Sequence, residues 1–280
     1  MPSTKKLVVA FQGELGAYSE IASRGFFKER IHVSPSKTFE GVFRKVQKEK
    51  VDFGVIPIEN SLAGSIHQNY DLLLKYPLKI VGESKLRIVH HLIANSGVTL
   101  SQIRRVFSHP QALMQCSKST ARLKKVKVIP TYDTAGSVKK IKDEGIKDGA
   151  AIASDLAAKI YGMTVLKKNL QNDFDNFTRF LLLSKRGDPL LNANKTSIVF
   201  SIRDCPGALF RSISVFSLRN IDLYKIESRP LHGKPWEYFF YIDFAGSLKD
   251  VNCRKALSHL KEMTSYLKLL GSYPRDESKK

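Results

Sequence analysis

Cysteine is scarce in this 280-residue chain, and no long apolar run is present. Cys116, Cys205 and Cys253 are widely spaced and belong to no paired motif. An odd, sparse count excludes a disulfide scaffold, argues for reduced thiols, and offers no metal site. No apolar stretch approaches the roughly 20 residues that cross a bilayer, so no membrane partner is expected. The first residues, "MPSTKKLVVAFQG", pass straight into strand-like sequence. They show no apolar region ending at a small-residue cleavage site. A cytoplasmic location is expected, with a plastid left open if a transit peptide has been removed. Metal-ligand spacings, a phosphate loop ending in Gly-Lys-Ser/Thr and a nucleophile elbow are all missing. Gly13 and Gly16 lack the third glycine of a dinucleotide fingerprint.

Cationic residues, by contrast, are plentiful, and the formal net charge is +20. They are scattered in pairs such as Lys5-Lys6, Arg104-Arg105 and Lys139-Lys140, with no zinc-finger, basic-zipper or RNA-binding signature. The expected partner is therefore an anionic metabolite rather than nucleic acid. Hydrophobic residues make up 42% of the chain, enough for a sizeable core.

The first two-thirds alternate strand-like and helical stretches. "KLVVAFQG", "VDFGVIPIE", "IRRVFS", "KVKVIPT" and "AAIAS" read as strands, and "LKIVGESKLRIVHHLIAN" as one or two more. "AYSEIASRGFFKE", "TFEGVFRKVQKEK" and "PQALMQCSKSTARLK" read as helices. Such alternation implies an α/β sheet with largely parallel strands. "SKRGDPLLNANK", residues 184–195, reads as a linker. Beyond it the order becomes βαββαβ, a ferredoxin-like module.

Four segments share one layout of strand, short polar loop and helix. They are "FQGELGAYS", "PIENSLAGSIH", "FSHPQA" and "TYDTAGS". Loops at the carboxyl ends of strands form the ligand crevice of open α/β sheets, and helix starts there favour anions. Gly13 and Gly16 either make tight turns or let backbone approach a ligand. Asn60 and Ser61 either cap a helix or bind substrate. Ser19, Gln111 and Thr134 add neutral hydrogen-bond groups. His109 reads as an exposed or capping residue, and Glu59 as a hydrogen-bonded or capping carboxylate. In "FDNFTRFLLL", residues 174–183, an amide, a hydroxyl and a guanidinium sit at the mouth of an apolar strand. Together these groups suit a small carboxylate substrate that must be oriented rather than attacked by a strong base.

"GELGAYSE", "PIENSLAGSIHQNYDLL", "SHPQALMQC" and "DNFTRFLLL", in this order, resemble the prephenate dehydratase family. "PGALF" at 206–210 and "IESRP" at 226–230 resemble the ACT regulatory domain of the same enzymes. "SIHQNYDLLL", "DTAG" and the tail "FYIDFAGSLKD…LGSYP" look like the arogenate dehydratase branch, whereas the short "LHGKPWEYFF" connection looks bacterial. The resemblance implies a two-lobed catalytic domain of the periplasmic-binding-protein type II kind over 6–184, with its second lobe near 86–165. An ACT domain would occupy 195–275. It implies conversion of prephenate to phenylpyruvate, or of arogenate to phenylalanine, with loss of carbon dioxide and water, in phenylalanine biosynthesis. No cofactor or metal is implied.

The same resemblance distributes the roles. Thr178 would donate to the departing hydroxyl, Arg179 would meet a substrate carboxylate, and Phe180 would fix the turn. Ser19, Asn60, Ser61, Gln111 and Asn176 would orient substrate. Gly207, Ala208, Leu209, Glu227, Ser228, Arg229 and Pro230 would bind the effector, L-phenylalanine, between paired ACT domains of a homodimer or homotetramer. Apart from the resemblance, an acidic group near the substrate's side chain would favour its ammonium form, and Asp133 or Asp175 could serve. A fused chorismate mutase is not expected, since no helical extension precedes Lys5. The competing reading is a non-catalytic sensor of amino acids or carboxylates that carries an ACT module.

Overall fold

A computed structural model describes residues 6–27, 31–123, 125–187, 192–203, 205–231 and 237–277. Lys28 and Glu29 of the first expected helix, residues 188–191 of the expected linker and 232–236 of the short connection lie outside these. Two compact units are present: Met1–Asn69 with Ser84–Phe180, and Tyr70–Glu83 with Leu181–Lys280.

The first unit begins with β1 (Val8–Gln12), α1 (Tyr18–Phe26), β2 (His32–Ser36), α2 (Phe39–Gln47), β3 (Phe53–Asn60) and β4 (Gly64–Ser65). The divide between the units falls inside α3 (His67–Lys75) and β5 (Lys79–Arg87). There follow β6 (His91–Ala94), β7 (Arg105–Ser108), α4 (Pro110–Gln115), α5 (Ser117–Ala121), β8 (Lys127–Pro130), α6 (Thr134–Asp143), β9 (Gly149–Ala153), α7 (Asp155–Tyr161) and β10 (Thr164–Lys167). Last comes β11 (Phe177–Ser184), which again crosses the divide.

Two sheets result, one per lobe. The first runs β2-β1-β3-β11-β5 with β4 on β3, and the second β10-β6-β9-β7-β8. β1 pairs in parallel with β2 and β3, and β7 with β8 and β9, whereas β6 and β10 enter antiparallel. The α/β expectation therefore holds, with a mixed second sheet. β2 and β10 were not read from sequence. β2 carries Pro35 and β10 is only four residues long, so neither shows a clear apolar alternation. The helix expected over "PQALMQCSKSTARLK" breaks into two at Cys116, whose φ is −110°. The Asn172 side chain accepts from Lys118 N and donates to Met114 O, which stabilises the break.

Each lobe has its own core. Val42, Phe43 and Val46 lie on the buried face of α2, while Arg44 and Lys48 face outward. Leu92, Ile152 and Val106 fill one side of the second sheet, and Ile93, Ala151 and Val138 the other. Burying each large aliphatic contributes about 1.5–3 kcal/mol.

The second unit contains β12 (Lys195–Ser201), α8 (Ala208–Ser217), β13 (Leu223–Pro230), β14 (Tyr238–Ala245), α9 (Val251–Met263) and β15 (Tyr266–Tyr273). The antiparallel order β13-β14-β12-β15 is the ferredoxin-like arrangement. Its centre strand β12 is buried along its whole length. Lys195 opens that strand inside the core, where its ammonium lies 2.7 Å from Glu83 and 3.4 Å from Asp243. Lys268 Nζ meets three carbonyls near the end of α3, those of Leu73, Leu74 and Tyr76. A cation there satisfies carbonyls that the helix itself leaves unpaired.

Candidate active site

A cavity of about 510 Å³ opens within the first unit, at the carboxyl ends of β1, β3 and β7. Its lining includes Ser19, Asn60, Gln111, Thr178 and Phe180, so five of the expected residues converge on it. Thr134 and His109 join them.

Asn60 ends β3 at the cavity edge. Its Oδ1 accepts from the backbone N–H of Leu62 (3.0 Å) and Ala63 (2.9 Å). Two fixed donors on that oxygen settle which end of the amide is which. The NH2 group must then face Asn176 Oδ1 (2.7 Å), Phe177 O (3.1 Å) and Thr178 Oγ1 (3.0 Å). An amide NH2 only donates, so Thr178 Oγ1 accepts and the Thr178 proton is directed elsewhere.

The same logic propagates through the site. Asn176 is fully buried, and its Oδ1 is committed to Asn60, so its Nδ2 donates to Gln115 Oε1 at 3.0 Å. Gln115 Oε1 also lies 3.2 Å from His90 Nε2, which must therefore carry the hydrogen. His90 Nδ1 is left as an acceptor, 2.8 Å from the Tyr18 hydroxyl, which shares its proton with Val89 O at 2.7 Å. Burial pushes the His90 imidazole down to about 4, against the smaller upward pull of its hydrogen bond with Gln115. It is neutral near pH 7, as the chain of donors requires. Gln115 is consequently left with its own NH2 as the group for a ligand. Tyr18, His90 and Gln115 all line the cavity and were missed as site residues. Tyr18 and Gln115 stand inside motifs already quoted. His90 was hidden in an apolar run that reads only as strand.

Other expected residues lie elsewhere. Successive side chains in a strand point to opposite faces, so Thr178 and Phe180 meet the cavity and Arg179 does not. Arg179 Nη2 instead pairs with Glu59 Oε2 at 3.0 Å. The Ser61 hydroxyl donates to Asp175 O at 2.8 Å and accepts from Phe177 N at 2.9 Å, which ties the Asn60 turn to the start of β11. Ser61 and Asn176 are absent from the lining, as is Asp175, which is exposed. His109 caps α4, with Nδ1 accepting from Gln111 N at 3.2 Å.

Gly13 and Gly16 face the second lobe rather than open space. A Cβ on Gly16 would sit 2.5 Å from Ala157 Cα, and one on Gly13 would sit 3.1 Å from Asp133 Oδ2. Their φ angles, +89° and +114°, also favour glycine. α1 begins there at Ala17 with no side-chain cap. Glu20 N turns back to Ala17 O, and the buried Glu20 carboxylate accepts from Gly16 N. This leaves the N–H groups of Tyr18 and Ser19, both in the cavity lining, for an anion.

In the second unit, Gly207, Ala208 and Leu209 line a cavity of about 260 Å³ with Cys205, Tyr238 and Phe240. Gly207 takes φ +73° at the start of α8. Glu227, Ser228, Arg229 and Pro230 lie along β13, outside that lining. Arg229 pairs with Asp71 at 3.0 Å, and Glu227 lies 3.5 Å from Lys225. Among the described residues no helix is long and apolar enough to cross a membrane.

Fold and cavity together define a two-lobed α/β protein whose cleft is lined largely by neutral hydrogen-bonding side chains. The chain belongs to the prephenate dehydratase family, whose model matches residues 9–188. It is similar to an Arabidopsis thaliana arogenate dehydratase/prephenate dehydratase, named chloroplastic, at 47% identity over 96% of this chain and 73% of that one. The structure of Arthrobacter aurescens prephenate dehydratase in complex with L-Phe matches with a TM-score of 0.90 at 30% identity, covering 98% of this chain and 91% of that one. A structure described as a novel type of quorum-quenching acylase, GqqA, matches with a TM-score of 0.88, also at 30% identity, over 96% and 98% of the two chains.

Proposed function

We propose that this enzyme converts prephenate, arogenate or both by coupled decarboxylation and dehydration, with Thr178 as donor to the departing hydroxyl. The observation that carries this reading is the direction of the Asn60-to-Thr178 hydrogen bond, which leaves the Thr178 O–H to the cavity. In the reaction the ring carboxylate leaves as carbon dioxide. Its bonding electrons enter the ring and expel the C4 hydroxyl, which takes one proton and departs as water. Aromatisation drives the step, so the protein must orient and stabilise rather than abstract a proton. A threonine hydroxyl is a weak acid, and its contribution is a positioned hydrogen bond that strengthens as the leaving oxygen gains charge, with the proton restored from water.

The lining holds no Lys or Arg among the described residues. The carboxylates would rest on the uncapped start of α1, on Ser19 and on the Gln115 NH2 group. Arg179 would act from behind, holding the strand beside Glu59. An acyl-transfer reading would need a hydroxyl bonded to a basic histidine. Thr178 accepts from an amide instead, which favours elimination.

The C-terminal unit is proposed to be an ACT domain that binds L-phenylalanine and inhibits the enzyme. The small cavity beside Gly207 supports this, as does the relative whose structure holds L-Phe. A homodimer or homotetramer would complete that site. Plant relatives named chloroplastic support a plastid setting, with the cytoplasm as the alternative.

The test is kcat/KM on both substrates, with and without L-phenylalanine. Turnover of at least one, inhibited by L-phenylalanine, is expected. No turnover of either overturns the enzymatic reading, and indifference to phenylalanine overturns the regulatory one.

A further inference from the structure

Among the described residues, Asp133 is the one Asp, Glu, Lys or Arg that lines the active-site cavity. It caps α6: Oδ2 accepts from Gly136 N at 3.3 Å and, across from the first lobe, from Glu14 N at 2.8 Å. The backbone of Thr134 contributes a further bond to the same carboxylate. The residue is only 9% exposed and belongs to the cavity lining. The charged side chain that acts on it most is Glu14, another acid, and Glu14 is itself held by Lys139 at 3.1 Å. His109, the nearby histidine, has its imidazole pushed down by burial, so it supplies no counter-charge near pH 7.

A cavity that must receive a multiply anionic substrate thus carries a carboxylate and no cation in its lining. Burial and the neighbouring Glu14 push that carboxyl above the usual range, against the pull of the three backbone N–H bonds. A cation beside it would favour its ionised form. For a substrate with a keto side chain this is a liability. The amino analogue carries an ammonium that a buried carboxylate attracts, and the rest of the two molecules is the same.

We propose that Asp133 is a specificity-determining residue that selects the ammonium-bearing substrate, arogenate, over prephenate. This rests on the dehydratase reading and names the substrate of that same site. A capping aspartate needs no charge for its structural work, because Asn and Ser cap helices about as well. The structural and electrostatic roles can therefore be separated by one substitution. In wild type the carboxylate contributes to the amino substrate alone, and the keto substrate must enter against it.

The experiment measures kcat/KM for arogenate and prephenate on wild type and on Asp133→Asn, with Asp133→Ser as a second capping variant. Wild type should favour arogenate, and both variants should lower the arogenate-to-prephenate ratio at least tenfold. A purely structural role would slow both substrates together and leave the ratio fixed. A ratio within twofold of wild type in whichever variant folds overturns the proposal while the enzyme remains a dehydratase. A wild type that favours prephenate also overturns it. Failure of wild type on both substrates removes the underlying reading itself, and is seen before any variant is made.

Discussion

The Asn60 amide donates to the Thr178 hydroxyl oxygen over 3.0 Å, and two backbone N–H groups on the other end of that amide forbid the reverse. Thr178 is 8% exposed, and its hydroxyl proton has the cavity as its outlet. Thr178→Val keeps the shape and removes the donor. It should lower kcat by about 10²–10³-fold, the range seen when one oriented donor is lost. Thr178→Ser should retain most of the activity. Steady-state kinetics with a thermal melt on each variant decides this, and a valine variant within tenfold of wild type would remove Thr178 from the chemistry.

Asn60 has two duties that one substitution can divide. Asn60→Asp keeps an oxygen for Leu62 N and Ala63 N but has no NH2 for Asn176 and Thr178. We expect kcat to fall about 10²-fold or more, since the hydroxyl loses its orientation. Asn60→Ala should also loosen the turn and cost about 1–3 kcal/mol of stability through the stranded backbone donors. Chemical denaturation of both variants separates the two effects. Equal stability losses would contradict the division.

His90 gives the protein a pH dependence of known sign. Its folded value near 4 lies below the unfolded value of 6.5, because burial disfavours the imidazolium. Between these values the unfolded chain binds more protons, so stability falls as pH drops from 6.5 towards 4 and is complete above 6.5. The full loss is about 3 kcal/mol. Urea denaturation of wild type and His90→Gln between pH 7 and 4.5 should show a steeper decline for wild type. Parallel curves would mean that His90 is not held neutral.

Lys195 and Glu83 form a buried pair with Asp243 close by. Removing one partner strands a charge, so Lys195→Met should cost about 3–5 kcal/mol. Adding Glu83→Gln to that variant should recover part of the loss. A double variant no more stable than the single one would show that the pair is not energetically coupled.

The alternation of apolar and amphipathic stretches made the α/β plan and the βαββαβ module legible, because both periods depend on local burial. Thr178, Phe180, Asn60, Ser19 and Gln111 were legible as a group through their motifs. The destination of Arg179 was not: a motif names neighbours in sequence, while the pleat sends neighbours to opposite faces. Ser61 stands outside the cavity lining for a related reason, since both of its hydroxyl bonds go to backbone at 175 and 177, far away in the chain. His90 could be found only through a donor–acceptor accounting, which requires knowing that Gln115 and Asn176 stand beside each other.

The chain of side chains from Asn60 to His90 has a practical consequence. Its polarity is inherited from two peptide groups in a turn, which have no alternative state. No proton has to be loaded before substrate arrives, and none has to be retrieved from these relay groups after product leaves. Only the Thr178 hydroxyl exchanges a proton with water in each turnover, and the groups that aim it stay in their working configuration throughout.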